Sequence, residues 1–326
     1  MLRQRSLLEN TSKSFNEIDI GKILVEMEML KLENQELTKT NEALISATWR
    51  EREMKKQLNL ALEELKTKQQ VDEQNKCLTD SINYASKIQN AIIPKHADLK
   101  HIFKDIFIYH EAKNIVSGDF PWLFVGDKFI YIAAVDCTGH GVPGAMMSLI
   151  GHLLLNDLAK HQDIDTASLL SHLHWSVVKT LKQAEEIKQS ADGMDIALCR
   201  IDHAHNEVQF SGAHRPLFHV SNNNLNGYNG DKFPIGGNQY KGKNTFTNRT
   251  IKIKEGDAIY FFSDGITDQF GGPDGQKFGP KRTREILLQN SRLSMQEQHA
   301  KIRQSFNEWK GDNKQIDDLL MIGIKF

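Results

Sequence analysis

From Ile23 to about Gln70 the chain carries no glycine or proline, and leucine returns at seven-residue intervals. Leu30, Leu37, Leu44, Leu58 and Leu65 share one track, broken once by Glu51. Repetition at that interval lines a seam for a left-handed supercoil, not the broad apolar face of a helix in a globular core. With the leucines at d, the a positions hold Met27, Asn34, Asn41, Thr48, Lys55 and Leu62. Asparagine buried at a fixes register and favours two parallel helices. A single solvated helix is the alternative, and it would leave the leucine stripe in water. The seam therefore predicts a parallel homodimer through a coiled coil over 23–77, after a weakly patterned polar segment, 1–22.

The track loses phase near Val71-Asp72-Glu73-Gln74 and resumes in a different phase with Leu78, Ile82, Ala85, Ile88 or Gln89, and Ile92. Helix is expected to run to Ile93 and stop before Pro94, because a proline pushes the preceding residue out of the helical region. A helix that enters a globular region with a changed seam suits a switch over 78–94 and suits passive packing equally well. From 95 to 326 the texture is globular. Strands are expected at Ile106–Glu111, Trp122–Val125, Phe129–Val135, Met194–Ile201, Glu207–Phe210, Leu217–Val220, Thr250–Ile253, Ala258–Phe262 and Asp318–Lys325. Helices are expected at Ala145–Lys160, Thr166–Ala184, Lys281–Leu288 and Ser294–Trp309, with loops at 222–227 and 236–244. Strand blocks separated by paired helices, without βαβ alternation, indicate an α+β fold.

Charge excludes some partners. The 41 basic and 42 acidic residues leave a net charge of −1, whereas nucleic acid or an anionic membrane calls for a basic surplus. No apolar run reaches the ~18 residues of a membrane span. Met1-Leu2-Arg3-Gln4-Arg5 lacks the apolar core of a signal peptide. Cys77, Cys137 and Cys199 have neither disulfide-framework nor zinc spacing, which fits a reducing cytoplasm.

Four segments set a carboxylate at the end of an apolar run or beside glycine: Val116-Ser117-Gly118-Asp119, Val135-Asp136-Cys137, Phe262-Ser263-Asp264-Gly265 and Gln315-Ile316-Asp317-Asp318. No comparable set of histidines or thiolates accompanies them, so a metal bound here would be held by oxygen, which suits Mg²⁺ or Mn²⁺. Converging carboxylates without cations repel one another; two divalent ions remove that repulsion and activate a water for attack on phosphorus. Each segment alone also reads as an ordinary turn or strand cap. Composition and spacing leave both readings open.

Six motifs in order decide between them: Val116-Ser117-Gly118-Asp119-Phe120, Asp136-Cys137-Thr138-Gly139-His140-Gly141-Val142-Pro143-Gly144-Ala145, Gly212-Ala213-His214-Arg215-Pro216, Pro234-Ile235-Gly236-Gly237, Ser263-Asp264-Gly265-Ile266-Thr267-Asp268 and Gln315-Ile316-Asp317-Asp318. From about Ser81 onward the chain resembles the bacterial PPM/PP2C-type serine/threonine phosphatases of the SpoIIE class. The resemblance implies a PP2C-like α-β-β-α sandwich, two mainly antiparallel sheets flanked by helices, with two Mn²⁺ or Mg²⁺ ions at one end. It also implies hydrolysis of phosphoserine or phosphothreonine on a regulatory protein, commonly an anti-sigma-factor antagonist, under the control of an N-terminal segment.

Residue by residue, the resemblance makes Asp136 the acid that bridges both ions and the Cys137 carbonyl the next ligand. Asp119 falls on the first ion, and Asp264 and Asp317 on the other. Asp119, Asp136 and Asp264 are the catalytic acids, and Asp318 stands behind the ligands. His140 reads as a turn histidine more readily than as a proton donor, His214 as structural, and the Cys137 thiol as no nucleophile. The chain departs from the family pattern at Pro121, in place of an aromatic residue, and at Leu320, in place of Thr or Ser. No proposed ligand is lost, so an active enzyme is expected. The alternatives are a catalytically silent signalling scaffold on the same fold and, with less support, a hydrolase of small nucleotides.

Overall fold

The computed structural model describes residues 2–94, 99, 101–160, 163–183, 191–237 and 245–326, with side chains described from Ile20 onward. Its first element, α1, is one uninterrupted helix, Leu2–Ile92. The polar N-terminal segment set apart in the sequence is thus continuous with the seam helix. By its contacts the chain falls into two compact units, Met1–Cys77 and Leu78–Phe326.

In the first unit, Leu30, Leu37, Leu44, Leu58 and Leu65 are each 57–63% exposed, as is much of the apolar remainder of that stretch. The second unit takes in the last turns of α1 and is built on two sheets. The first sheet has the order β1 (Asp105–Glu111), β13 (Leu319–Lys325), β10 (Ala258–Phe262), β6 (Leu217–Ser221), β7 (Asn224–Tyr228). The second runs β2 (Phe120–Val125), β3 (Ile130–Cys137), β4 (Gly193–Asp202), β5 (Glu207–Ala213), β9 (Arg249–Lys252), with the two-residue β8 (Ile235–Gly236) also on β4. All these pairings are antiparallel. A small hairpin, β11 (Phe270–Gly271) and β12 (Gln276–Lys277), stands apart.

The period-2 alternation of the strands builds three apolar layers. Between the sheets lie Ile106, Ile132, Ala134, Ala197, Cys199, Phe210, Phe261, Leu320 and Ile322. On the outer face of the second sheet, Trp122, Tyr131, Val135 and Ile196 pack against α2 (Gly141–Ala159) and α3 (Thr166–Thr180). On the outer face of the first sheet, Phe107, Tyr260 and Met321 meet α5 (Gly279–Asn290) and α6 (Met295–Lys310), while α4 (Gly265–Asp268) is a single turn. The result is the α-β-β-α sandwich that the sequence implied.

Several boundaries differ from expectation. α2 opens at Gly141, four residues before Ala145, with Pro143 inside its first turn, where the missing N–H would have no partner in any case. The stretch 222–227, read as a loop, contains β7: Asn222 and Asn223 both take left-handed φ values and make the two-residue turn of a hairpin with β6. Of the second expected loop, Gly236 belongs to β8, and 238–244 lie outside the described residues, as does the expected end of the second helix at Ala184. Pro121 sits on edge strand β2, where a missing N–H costs no ladder bond on the open side. Leu320 is fully buried between the sheets.

Candidate active site

Alternation also aims the acids. β3 turns Tyr131, Ala133 and Val135 toward the helices and Ile132 and Ala134 between the sheets, so Asp136 falls on the inter-sheet face. By the same count Asp195 of β4 shares that face, directly opposite Asp136 in the strand register. Asp318, just before β13, falls on the inter-sheet side with Leu320 and Ile322. Asp119 immediately precedes β2, and Asp264 stands at the start of α4 just after β10. The odd count sends the Cys137 side chain the other way, into the helix layer. Burial pushes its thiol well above the ordinary range, and Asp136 and Asp119 add to this, so only its backbone faces the acids.

Two glycines let the loops close. A Cβ on Gly144 would sit 2.2 Å from the Gly139 carbonyl, and one on Gly118 would sit 2.6 Å from the same oxygen. The Ser117–Asp119 loop and the Cys137–Gly144 turn thus interlock with no room for side chains. Asp318 braces them from across the sandwich. Its Oδ1 accepts from the Lys113 N–H at 2.7 Å and its Oδ2 from the Gly118 N–H at 2.7 Å. Gln89, near the end of α1, braces them from the other side. It donates to the Ser117 carbonyl at 2.6 Å and the Ser148 hydroxyl at 2.9 Å, and accepts from the Ser117 N–H at 3.1 Å.

The carboxylates feel one another. Burial pushes Asp136 up to about 7, against the pull of Arg215, with Asp264, Asp195 and Asp317 adding to the rise. Asp119 is raised well above the carboxylate range, first by burial and then by Asp136, with Asp318 and Asp317 contributing and a Ser263 hydrogen bond opposing. Asp317 is raised by burial first, then by Asp264 and Asp318, while the Asp318 N–H and Lys113 oppose. Asp119, Asp136, Asp264 and Asp317 are therefore brought into one electrostatic neighbourhood. Asp195 and Arg215 join them without having been singled out in the sequence. Their signal was the Asp-Ile start of a strand whose pairing with β3 is visible only in three dimensions, and a Gly-Ala-His-Arg-Pro turn that reads as structural.

One Arg215 nitrogen, Nη2, lies 3.0 Å from Asp136 Oδ2, 2.9 Å from Asp195 Oδ2 and 2.7 Å from Asp264 Oδ2. His214 Nδ1 is 2.9 Å from Asp195 Oδ1. His140 is exposed and pairs through Nδ1 with Asn114 Oδ1 at 3.0 Å. Among the described residues no three His, Cys, Asp or Glu side chains are grouped closely enough to enclose an ion in this arrangement. The chemistry of the donors nevertheless fits divalent ions. Asp119 Oδ2 is buried without a hydrogen-bond partner, Asp136 Oδ2 is buried with the Arg215 ion pair in place of a hydrogen bond, and all the charged donors are oxygen.

The profile of the Stage II sporulation protein E (SpoIIE) family matches residues 126–326, more than half of the chain. The chain belongs to the SpoIIE family. Its solved relatives agree in fold. The SiaA-PP2C domain of Pseudomonas aeruginosa is 27% identical, with a TM-score of 0.70 over 77% of this chain and 98% of that one. The phosphatase domain of SpoIIE from Bacillus subtilis, solved with a fragment of its regulatory domain, is 16% identical, with a TM-score of 0.55 over 68% of this chain and 63% of that one. The RsbU and RsbW domains of Rv1364c from Mycobacterium tuberculosis give 16% identity and a TM-score of 0.52 over 68% of this chain and 59% of that one. A comparison with curated proteins finds no match. This SpoIIE-family chain thus carries a PP2C-type phosphatase fold. Its α2 is the one helix among the described residues long and apolar enough to cross a membrane, yet Met147, Leu155 and Ala159 pack it into the core.

Proposed function

We propose that this chain is a metal-dependent protein serine/threonine phosphatase that acts on a phosphorylated regulatory protein. The observation that supports the reading is that Asp136 and Asp264, from separate segments of a PP2C-type fold, meet on one Arg215 nitrogen, while Asp119 Oδ2 is buried without a hydrogen-bond partner. Asp119, Asp136, Asp264, Asp317 and the Cys137 carbonyl would hold two Mn²⁺ or Mg²⁺ ions. When bound, such ions supply positive charge at the phosphoryl group and acidify water at neutral pH.

The rest of the work falls to the chain. Asp318 and Gln89 hold the Ser117–Asp119 loop in register, so that Asp119 enters the site at a fixed angle. The interlocked glycine loops keep backbone, not side chains, against the reacting group. The Leu78–Ile93 helix, tied to that loop through Gln89, is the route by which a signal in α1 would reach Asp119. The coiled coil would pair two chains in parallel. An anti-sigma-factor antagonist is the substrate class that the family resemblance suggests. The cytoplasm is the compartment in which such a partner would be met.

Replacing Asp136 with Asn is expected to reduce Mn²⁺-dependent phosphate release from a phosphoserine protein to background. Full activity in that variant would sink the two-ion assignment. A wild-type chain that binds Mn²⁺ yet turns over no phosphoprotein would favour the silent scaffold.

A further inference from the structure

The turn that carries Arg215 is built to a tolerance that a plain connection between β5 and β6 does not need. His214, a residue with a Cβ, is held at a left-handed φ of 56°, with its N–H donating to the Asp231 carbonyl at 2.8 Å. The Arg215 carbonyl is wedged between two glycines: a Cβ on Gly212 would lie 2.3 Å from it, and one on Gly230 would lie 2.7 Å away. Pro216 follows directly. This clamped backbone delivers a mostly buried guanidinium into the acid end of the sandwich.

The way the guanidinium is held is as informative as where it lies. Arginine ordinarily grips a carboxylate with two parallel N–H bonds. Here a single nitrogen, Nη2, approaches three carboxylates from three elements, while Nε is buried without a hydrogen-bond partner. Such a grip satisfies charge without the paired fork, so giving it up costs one hydrogen bond, to Asp264 Oδ2, and the ion pairs at the same nitrogen.

Two of the three carboxylates, Asp136 and Asp264, are the ones assigned to divalent ions. An ion ligated to Asp264 Oδ2 at about 2.1 Å would lie within roughly 5 Å of Nη2 in any direction, and both centres are positive. We propose that Arg215 is a built-in counter-cation for the acid end, which an ion bridging Asp136 and Asp264 has to displace, so that Arg215 sets how tightly that ion is held. This rests on the two-ion reading and adds a residue outside its ligand set. Asp195, which is no proposed ligand, is where the displaced side chain would stay anchored, since its Oδ2 already pairs with Nη2.

The test is calorimetric titration of the chelator-stripped full chain with MnCl₂, alongside thermal melts in EDTA. Arg215→Met, similar in length but uncharged, is expected to tighten Mn²⁺ binding by about tenfold or more. It is also expected to melt earlier in EDTA and to regain the difference with Mn²⁺. Arg215→Gln should behave alike and stands in should the methionine variant fail to fold. Lys113→Gln removes a positive charge that acts on Asp317 without taking part in the Arg215 pairing with Asp136, Asp195 and Asp264. If it tightens binding as much as Arg215→Gln does, the effect is general attraction and the proposal fails. The proposal also fails if Mn²⁺ affinity is unchanged in both Arg215 variants while the KM for a phosphopeptide rises, for Arg215 is then a substrate contact. No Mn²⁺ binding by the wild-type chain would overturn the two-ion reading as well; normal wild-type binding with unaltered variants would overturn this inference alone.

Discussion

Along Met1–Cys77 the five seam leucines stand more than half in solvent, and the surrounding charges balance. At the acid end of Leu78–Phe326, Asp119 is buried and Asp136 half-buried, and one guanidinium nitrogen answers for three carboxylates. The first region has apolar area without cover, and the second has negative charge with little to offset it. A second helix would relieve one and a divalent cation the other. The contrast teaches that excess of either kind is a physical pointer to a partner. The partner's nature follows from which property is in excess: a like surface for the helix, a hard cation for the oxygens.

The comparison can be broken at either end. The largest effect is expected from Leu37→Lys combined with Leu44→Lys, which puts two charges into the seam. Each leucine that a second helix covered there would be worth about 1.5–3 kcal/mol. The pair should turn a dimer into a monomer at micromolar concentration in sedimentation equilibrium. An unchanged mass would mean that the stripe does not hold two chains together.

At the acid end, pH gives the next largest effect. The Asp136 carboxyl titrates near 7 in the folded chain, raised chiefly by burial, and near the ordinary value of about 4 when unfolded. Between those values the folded chain binds the extra proton, so stability should fall as pH rises from about 4 to about 7 and level off above. Melting temperatures in EDTA across that range check this. A stability that instead climbs toward neutrality would mean that burial does not hold the Asp136 carboxyl above the ordinary range. Added Mn²⁺ should flatten the fall.

A smaller effect is expected where the end of α1 meets the acid loop. Gln89→Ala leaves the Ser117 N–H and C=O without their buried partner and should cost about 1–3 kcal/mol in a urea melt. It should also lower phosphate release. Loss of stability without loss of rate would reduce the last turns of α1 to packing. The smallest effect is expected from His140→Ala. Its ring is exposed and bonds only Asn114 among the contacts described, so the rate should fall by no more than about threefold, well short of the ~100-fold typical of a lost proton donor. A hundredfold loss would reinstate His140 as the acid.

The α+β class was legible because strand alternation and helix caps are local, while the sandwich itself was implied by the family resemblance. The capping box of Ser294 and Glu297, for example, fixes the start of α6 within a single turn of chain. β7 was hidden because Asn224-Leu225-Asn226-Gly227 has the composition of a loop, and only its pairing with β6 makes it a strand. The acids proposed as ligands stood out through short motifs, three of them with glycine beside or near the acid. Asp195 lay outside the motifs and Arg215 lay inside one without a role read for it, since their meaning lies in what they face: Asp136 across a strand register, and three carboxylates across two sheets. Facing is a long-range property, and one chain read in order does not display it.

The placement of β13 has a consequence in time. That strand pairs with β1 on one side and β10 on the other, and Asp317 and Asp318 immediately precede it. Emerging from the ribosome, residues 105–262 can fold the second sheet and its helices, but the first sheet stays split until residue 325 is clear. Until then Gly118 lacks the carboxylate that braces it, and Asp264 lacks its neighbour Asp317. A nascent chain therefore holds most of a PP2C-type fold without its acid end, which would be completed only as synthesis of the domain ends.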